Sequence, residues 1–168
     1  ADGLTPLRDA AYNLAKKFLE VDGRYLRVAV VVSDGLDSGD DTAYAQRTLE
    51  EVIAQLQRHQ ILVYGIGIYQ EPPQEQKKKA PDILKKIAEE TGGAMFYETN
   101  LGRLTEVFRR ISDTIRNVYF LSYTPQNDEE GRRIIRMEIG TYGANGKWHK
   151  QKATIFHRKG YTYQKSPQ

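Results

Sequence analysis

The sequence contains no cysteine. That excludes a disulfide framework and any thiolate metal site, and it leaves the compartment open, since reducing and oxidising environments both hold cysteine-free proteins. No apolar run approaches the roughly 18 residues that a membrane-spanning helix needs, and no basic-then-apolar leader opens the chain. The first residue is Ala1 rather than methionine, which suggests a processed, cloned or cleaved chain and leaves room for a signal peptide upstream. Also missing are a Gly-x-Ser-x-Gly elbow, a phosphate-binding glycine loop and a His-Glu-x-x-His helix, so the usual marks of hydrolases and nucleotide enzymes are not there. Acidic residues are scarce in one region only. Residues 131–168 hold 9 Lys+Arg against Glu138 alone, a balance of +8, whereas residues 1–130 hold 16 Lys+Arg against 21 Asp+Glu, a balance of −5.

What is present is organised around Arg27 to Gly35, Arg-Val-Ala-Val-Val-Val-Ser-Asp-Gly. An unbroken apolar run does not alternate between core and water, so it reads as a strand buried on both faces of a parallel α/β sheet. Ser33, Asp34 and Gly35 then put a hydroxyl, a carboxylate and a flexible residue at the strand's carboxyl end, where open α/β sheets gather ligands. Taken alone, Asp34 is as readily a turn residue.

A chain of 168 residues is one domain, or one domain with an appendage. Thr5-Pro6-Leu7 starts a helix, with Leu7, Ala11, Leu14, Ala15 and Phe18 on one stripe and Asp22-Gly23 beyond its end. After the central strand, Asp34, Asp37, Asp40 and Asp41 crowd a loop. Asp41 or Thr42 caps the next helix, whose stripe is Ala45, Leu49, Val52, Ile53 and Leu56. Ile61 to Ile68 is a second buried strand with glycines for close backbone approach. Residues 71–80, with Pro72-Pro73 and Lys77-Lys78-Lys79, form a surface loop. Pro81 opens a third helix carried by Ile83, Leu84, Ile87 and Ala88; residues 94–98 form a third strand; Asn100 caps a fourth helix with Leu104, Val107, Phe108, Ile111 and Ile115 on its face. This alternation predicts a partial, Rossmann-like parallel sheet flanked by helices over residues 1–117.

From Val118 the pattern is all-β. Residues 118–124 and 133–142 read as strands, Gly143-Ala144-Asn145-Gly146 as a hairpin turn, and residues 148–157 as the return strand, so residues 118–168 form an antiparallel appendage. Aromatic residues among its Lys and Arg are compatible with a nucleic-acid surface. A hairpin with its apolar side chains inward and its cations in water explains the same alternation without a ligand, and is preferred.

The order of Thr5, a helix, the strand ending in Ser33-Asp34-Gly35, a helix and Val63-Tyr64-Gly65-Ile66-Gly67-Ile68 resembles the second half of a von Willebrand factor type A domain. Ile87 to Gly93 followed by Phe96 matches the next segment of that family. Tyr119 to Pro125 and Arg158-Lys159-Gly160-Tyr161 are similar to its bacterial von Willebrand factor A-related subgroup. The resemblance implies a protein-interaction or adhesion module that binds a partner's carboxylate through Mg²⁺ or another divalent cation, in an extracytoplasmic setting. It implies Thr5 and Asp34 as metal ligands, flanked by Ser33 and Gly35. The Asp-x-Ser-x-Ser loop of the family, and the strand that carries it, are absent. The expectation is that a preceding segment or another subunit completes the sheet and the site, because a hydroxyl and one carboxylate do not hold Mg²⁺ against water.

Two other readings remain. One is a metal-independent scaffold that binds through the basic appendage. The other is an enzyme using the aspartates of the 34–41 loop with His59, His149 or His157 as acid or base; no motif supports it, and a non-enzyme is expected.

Overall fold

The computed structural model describes residues 7–20, 25–33, 47–68, 83–127, 129–163 and 165. Three strands, β1 (Arg27–Ser33), β2 (Ile61–Ile68) and β3 (Met95–Glu98), form a parallel sheet in the order β1-β2-β3. The register sets Ser33 beside Gly67 and Ile68 beside Glu98, so the strands end together at one edge. Helix α1 (Leu7–Lys17) runs on into a 3-10 turn at Phe18–Glu20; α2 (Leu49–Arg58), α3 (Ile83–Thr91) and α4 (Leu104–Arg116) complete the α/β part.

Side-chain alternation along β2 divides the core in two. Ile61 and Val63 point to one face, where Ala11 and Ala15 of α1, Val52, Ile53 and Leu56 of α2, and Leu84 and Ile87 of α3 close over them. Tyr64 and Ile66 point to the other, where Val107 and Ile111 of α4 cover them with Ala94. Three helices therefore share one face among the described residues, and α4 alone packs on the second.

That imbalance corrects the expectation for β1. It was read as buried on both faces, yet Val30 and Val32 are 40% and 49% exposed, and only Ala29 is fully buried. With Val28 they point to the α4 face, but at the edge of the described sheet, beyond what α4 covers. The strand meeting the sequence criterion is β2, interior to the sheet and buried from Ile61 to Gly67 except at Leu62. Phe108, on the predicted stripe of α4, is likewise 46% exposed, and among the described residues no second helix packs on that face.

Helix ends follow local chemistry. The cap of α2 is Thr48: its hydroxyl accepts from the Glu51 N–H at 3.2 Å while the Glu51 carboxylate accepts from the Thr48 N–H at 2.8 Å, a reciprocal capping box. Asp41, Thr42 and Ala45 lie outside the described residues, as does the 71–80 loop. At the end of α3 the buried Thr91 hydroxyl donates to the Ile87 carbonyl at 2.9 Å and accepts from the Val63 N–H at 3.1 Å, which ties α3 to β2. Gly92 follows at φ 93°, the left-handed conformation that ends helices.

The predicted antiparallel strands are shorter and paired differently. β4 (Gly131–Ile134) pairs with β7 (Gly160–Tyr163), and β5 (Gly140–Tyr142) with β6 (Trp148–Lys150). The Ile135 N–H donates to Lys159 O and the Gln151 N–H to Ile139 O, so three residues on one side face seven on the other. The surplus bends the ribbon, splits the predicted 133–142 strand between β4 and β5, and ends the predicted 148–157 strand at Lys150, with β7 forming beyond it. Residues 118–124 are not a strand: no ladder is assigned there, and Tyr119, Phe120, Leu121 and Tyr123 are exposed. Aromatic and β-branched composition favours a strand only where a neighbouring strand is available. Nor do the apolar residues turn inward throughout, since Tyr142, Trp148 and Phe156 stand exposed.

Four residues hold the ribbon to the α/β part. The Arg158 guanidinium donates to the Gln57 carbonyl, Arg132 pairs with Glu90 at 2.9 Å, and the Gln57 amide donates to the Glu90 carbonyl at 2.7 Å. Gln57 and Glu90 lie near the ends of α2 and α3, just before β2 and β3 begin. The ribbon is thus anchored at the amino edge of the sheet.

Candidate functional site

Parallel strands bring their carboxyl ends to one edge, and short connections at that edge are where a side chain is held by the sheet yet reachable from solvent. Here Ser33 is the last residue of β1, aligned with Gly67, and Glu98 is the last of β3. Two strand spacings separate β1 from β3, about 10 Å. The Glu98 carboxylate accepts from the Thr99 and Asn100 N–H groups at 3.0 and 3.1 Å. Asn100 in turn accepts from the Gly102 N–H at 2.8 Å, capping the 3-10 turn Leu101–Arg103 ahead of α4. Both polar side chains therefore shape the turn after β3.

Of the residues singled out from sequence, the structure places Ser33 at the carboxyl edge. Thr5, Asp34, Gly35, Asp37, Asp40 and Asp41 lie outside the described residues. Among the described residues no group of three or more His, Asp or Glu is arranged to hold a metal. By donor chemistry, the pair implied from sequence, Thr5 and Asp34, offers one hydroxyl and one carboxylate, so the other oxygens of an octahedral Mg²⁺ would have to come from water or from further donors.

The three histidines are dispersed. His59 ends α2 at the amino edge, His149 lies in β6, and His157 lies in the seven-residue stretch before β7, its Nδ1 2.8 Å from the Arg158 carbonyl. Burial lowers the His59 pKa, with Arg27 and Arg58 adding repulsion. A histidine depressed in the folded state binds fewer protons than in the unfolded chain, so its contribution to stability is present above its unfolded pKa of about 6.5 and is lost as pH falls. We expect His59 to titrate below that value by NMR, and stability to decline between pH 7.5 and 5.5 with a slope that His59→Asn reduces. An unshifted His59 titration would refute this.

The joint between ribbon and sheet is not foreseeable from sequence, because a backbone carbonyl at Gln57 carries no sequence signature. Beside it lies a cleft of about 390 Å³ lined by Lys85, Glu89, Tyr97, Phe156, His157 and Lys159, among others. Lys85 and Glu89 face each other at 3.9 Å, so the cleft has no single charge sign to select a ligand.

The sequence profile of the von Willebrand factor type A domain matches residues 3–110. The chain belongs to this family. Type A domains commonly mediate protein–protein contacts rather than catalysis, and many bind a divalent metal. No curated protein matches this type A chain. Among solved structures it is similar to the one titled "Crystal Structure of Uncharacterized Membrane Spanning Protein from Vibrio fischeri", at 22% identity and a TM-score of 0.43. That alignment covers 61% of this chain and 53% of the other, so the type A chain spans about half the length of that structure. No helix among the described residues is long and apolar enough to cross a membrane.

Proposed function

We propose that this chain is part of a protein-interaction module that binds a partner's carboxylate through a divalent cation, with Thr5 and Asp34 as its ligands and the remaining donors supplied from outside the chain. The observation that carries this reading is the state of β1: an apolar strand at the sheet edge, with Val30 and Val32 uncovered and Ser33 at its carboxyl end. Natural proteins protect such edges, since an apolar edge strand is a template for another chain. One strand laid along β1 would remove the open edge and deliver oxygen donors beside Asp34. A preceding segment and another subunit are both suitable sources. The likeness of Tyr119 to Pro125 and Arg158 to Tyr161 to the bacterial subgroup supports an extracytoplasmic setting.

The test is made with the chain bound to its completing segment. Asp34→Ala and Thr5→Ala are each expected to abolish Mg²⁺-dependent partner binding while leaving the far-ultraviolet circular dichroism unchanged. Partner binding of equal strength in EDTA would overturn the proposal. Titration of this chain alone with Mg²⁺ is expected to show no uptake at micromolar concentrations, and tight uptake would show that the site needs no outside donors.

A further inference from the structure

Of the fifteen large apolar side chains exposed among the described residues, nine fall between Tyr119 and Phe156. Exposed apolar surface is therefore concentrated outside the parallel sheet, and five of the nine, Ile134, Ile139, Tyr142, Trp148 and Phe156, lie in the basic region 131–168. The far end of the ribbon is closed by a tight hairpin turn. The Gly143 N–H donates to Lys147 O and the Gly146 N–H to Gly143 O, both at 2.9 Å, while the Asn145 side chain accepts from the Lys147 N–H at 3.1 Å. Gly146 takes φ 72°, as the closing residue of a three-residue hairpin loop does.

This turn fixes two aromatic rings. Tyr142 and Trp148 are cross-strand partners, with centroids 5.1 Å apart at 63°, and are 73% and 45% exposed. The indole is held on its other side by Gly140: a Cβ there would come within 2.6 Å of the ring. The pair is thus pre-set by backbone and neighbour, and its exposed area is offered to a partner with little further loss of side-chain freedom. Arg136, Lys147 and Lys152, all exposed, flank the pair along the chain, and the only side-chain carboxylate of residues 131–168, Glu138, is engaged by Lys150 at 2.7 Å.

We propose that the Tyr142–Trp148 hairpin and its flanking cations form a docking surface for an acidic segment of a partner protein. Rigid aromatic anchors within a rim of one charge are the arrangement found at protein–protein hot spots, and the charge balance of +8 selects an acidic occupant. A protein suits the surface better than nucleic acid does. The two rings meet edge to face, leaving no run of parallel faces for successive bases. This surface depends on neither Asp34 nor a metal.

Trp148 is the chain's single tryptophan, so its fluorescence reports on the hairpin directly. The probe is a fifteen-residue synthetic peptide alternating Glu with apolar residues, added to the full chain; oligo-dT of the same length and vesicles containing phosphatidylserine are the competing probes. The peptide is expected to change the Trp148 emission saturably, to bind at least tenfold more weakly when salt is raised from 50 to 500 mM, and to be indifferent to EDTA. Lys147→Glu combined with Lys152→Glu, on exposed side chains, is expected to weaken binding at least tenfold with the melting temperature unchanged. Absence of a response, binding that survives the charge reversal, loss in EDTA, or tighter binding of oligo-dT or vesicles would each overturn the proposal. Indifference to EDTA separates this result from failure or success of the metal-dependent site.

Discussion

Gly93→Ala is expected to cost the chain about 3–5 kcal/mol, a large part of the stability of a typical domain. The new Cβ would stand 2.0 Å from the Val63 carbonyl oxygen and 2.7 Å from its carbon, both of them backbone atoms of β2. No rotamer change relieves a clash with backbone. Relief requires α3 to move away from the sheet, and α3 is tied there by the Val63 N–H on Thr91 and by the Gly93 N–H on Ala88 O at 2.9 Å. A melting temperature lower by roughly 10 °C is the expected readout for a chain of this size. Gly146→Ala is the comparison. It has open space around it and only a positive φ to strain, so its cost is nearer 1 kcal/mol. Equal, small shifts for both variants would mean that the close approach of α3 to β2 is wrong.

Tyr64→Ala is the second large effect. Tyr64 is 1% exposed and heads the fully buried side chains by volume, and it fills the space between β2 and α4. Removing a buried aromatic ring costs about 3–5 kcal/mol through lost burial and the cavity left behind. Because α4 is the single described helix on that face, the loss falls on it first. We expect hydrogen exchange to accelerate over residues 104–116 more than over α1 and α2, whose cluster lies across the sheet. A loss below about 1 kcal/mol, or exchange that rises uniformly, would contradict the two-cluster core.

Much of the α/β part was legible because its cues are local. The limits of β1 and β2 fall where the valine and isoleucine runs end, and the stripe of α4 appears as spaced except at Phe108. What sequence missed depends on neighbours. The burial of β1 depends on what adjoins its outer edge, which no pattern within Arg27–Ser33 encodes. Residues 118–124 have strand composition but no ladder, and Gly160 to Tyr163, beyond the predicted return strand, supply the partner strand of β4. Three residues facing seven shift the ribbon's register midway, and alternation read along a single strand does not reveal a surplus on the opposite one. The Thr48 and Glu51 cap was a missed local cue, overshadowed by the aspartates upstream. For the candidate site, Ser33 was placed correctly at the carboxyl edge, whereas the aspartates and Thr5 lie outside the described residues.

The anchoring of the ribbon through Arg158, Arg132, Gln57 and Glu90 puts it at the pole of the sheet away from Ser33. Occupants of the two proposed sites, one beside Ser33 and one on the ribbon, would be held through separate parts of the chain, which would then couple two bodies. In a tethered pair, the first attachment raises the local concentration for the second without any new contact between them. With both proposed sites filled, such a coupling would be released separately, by chelation at the first and by salt at the second.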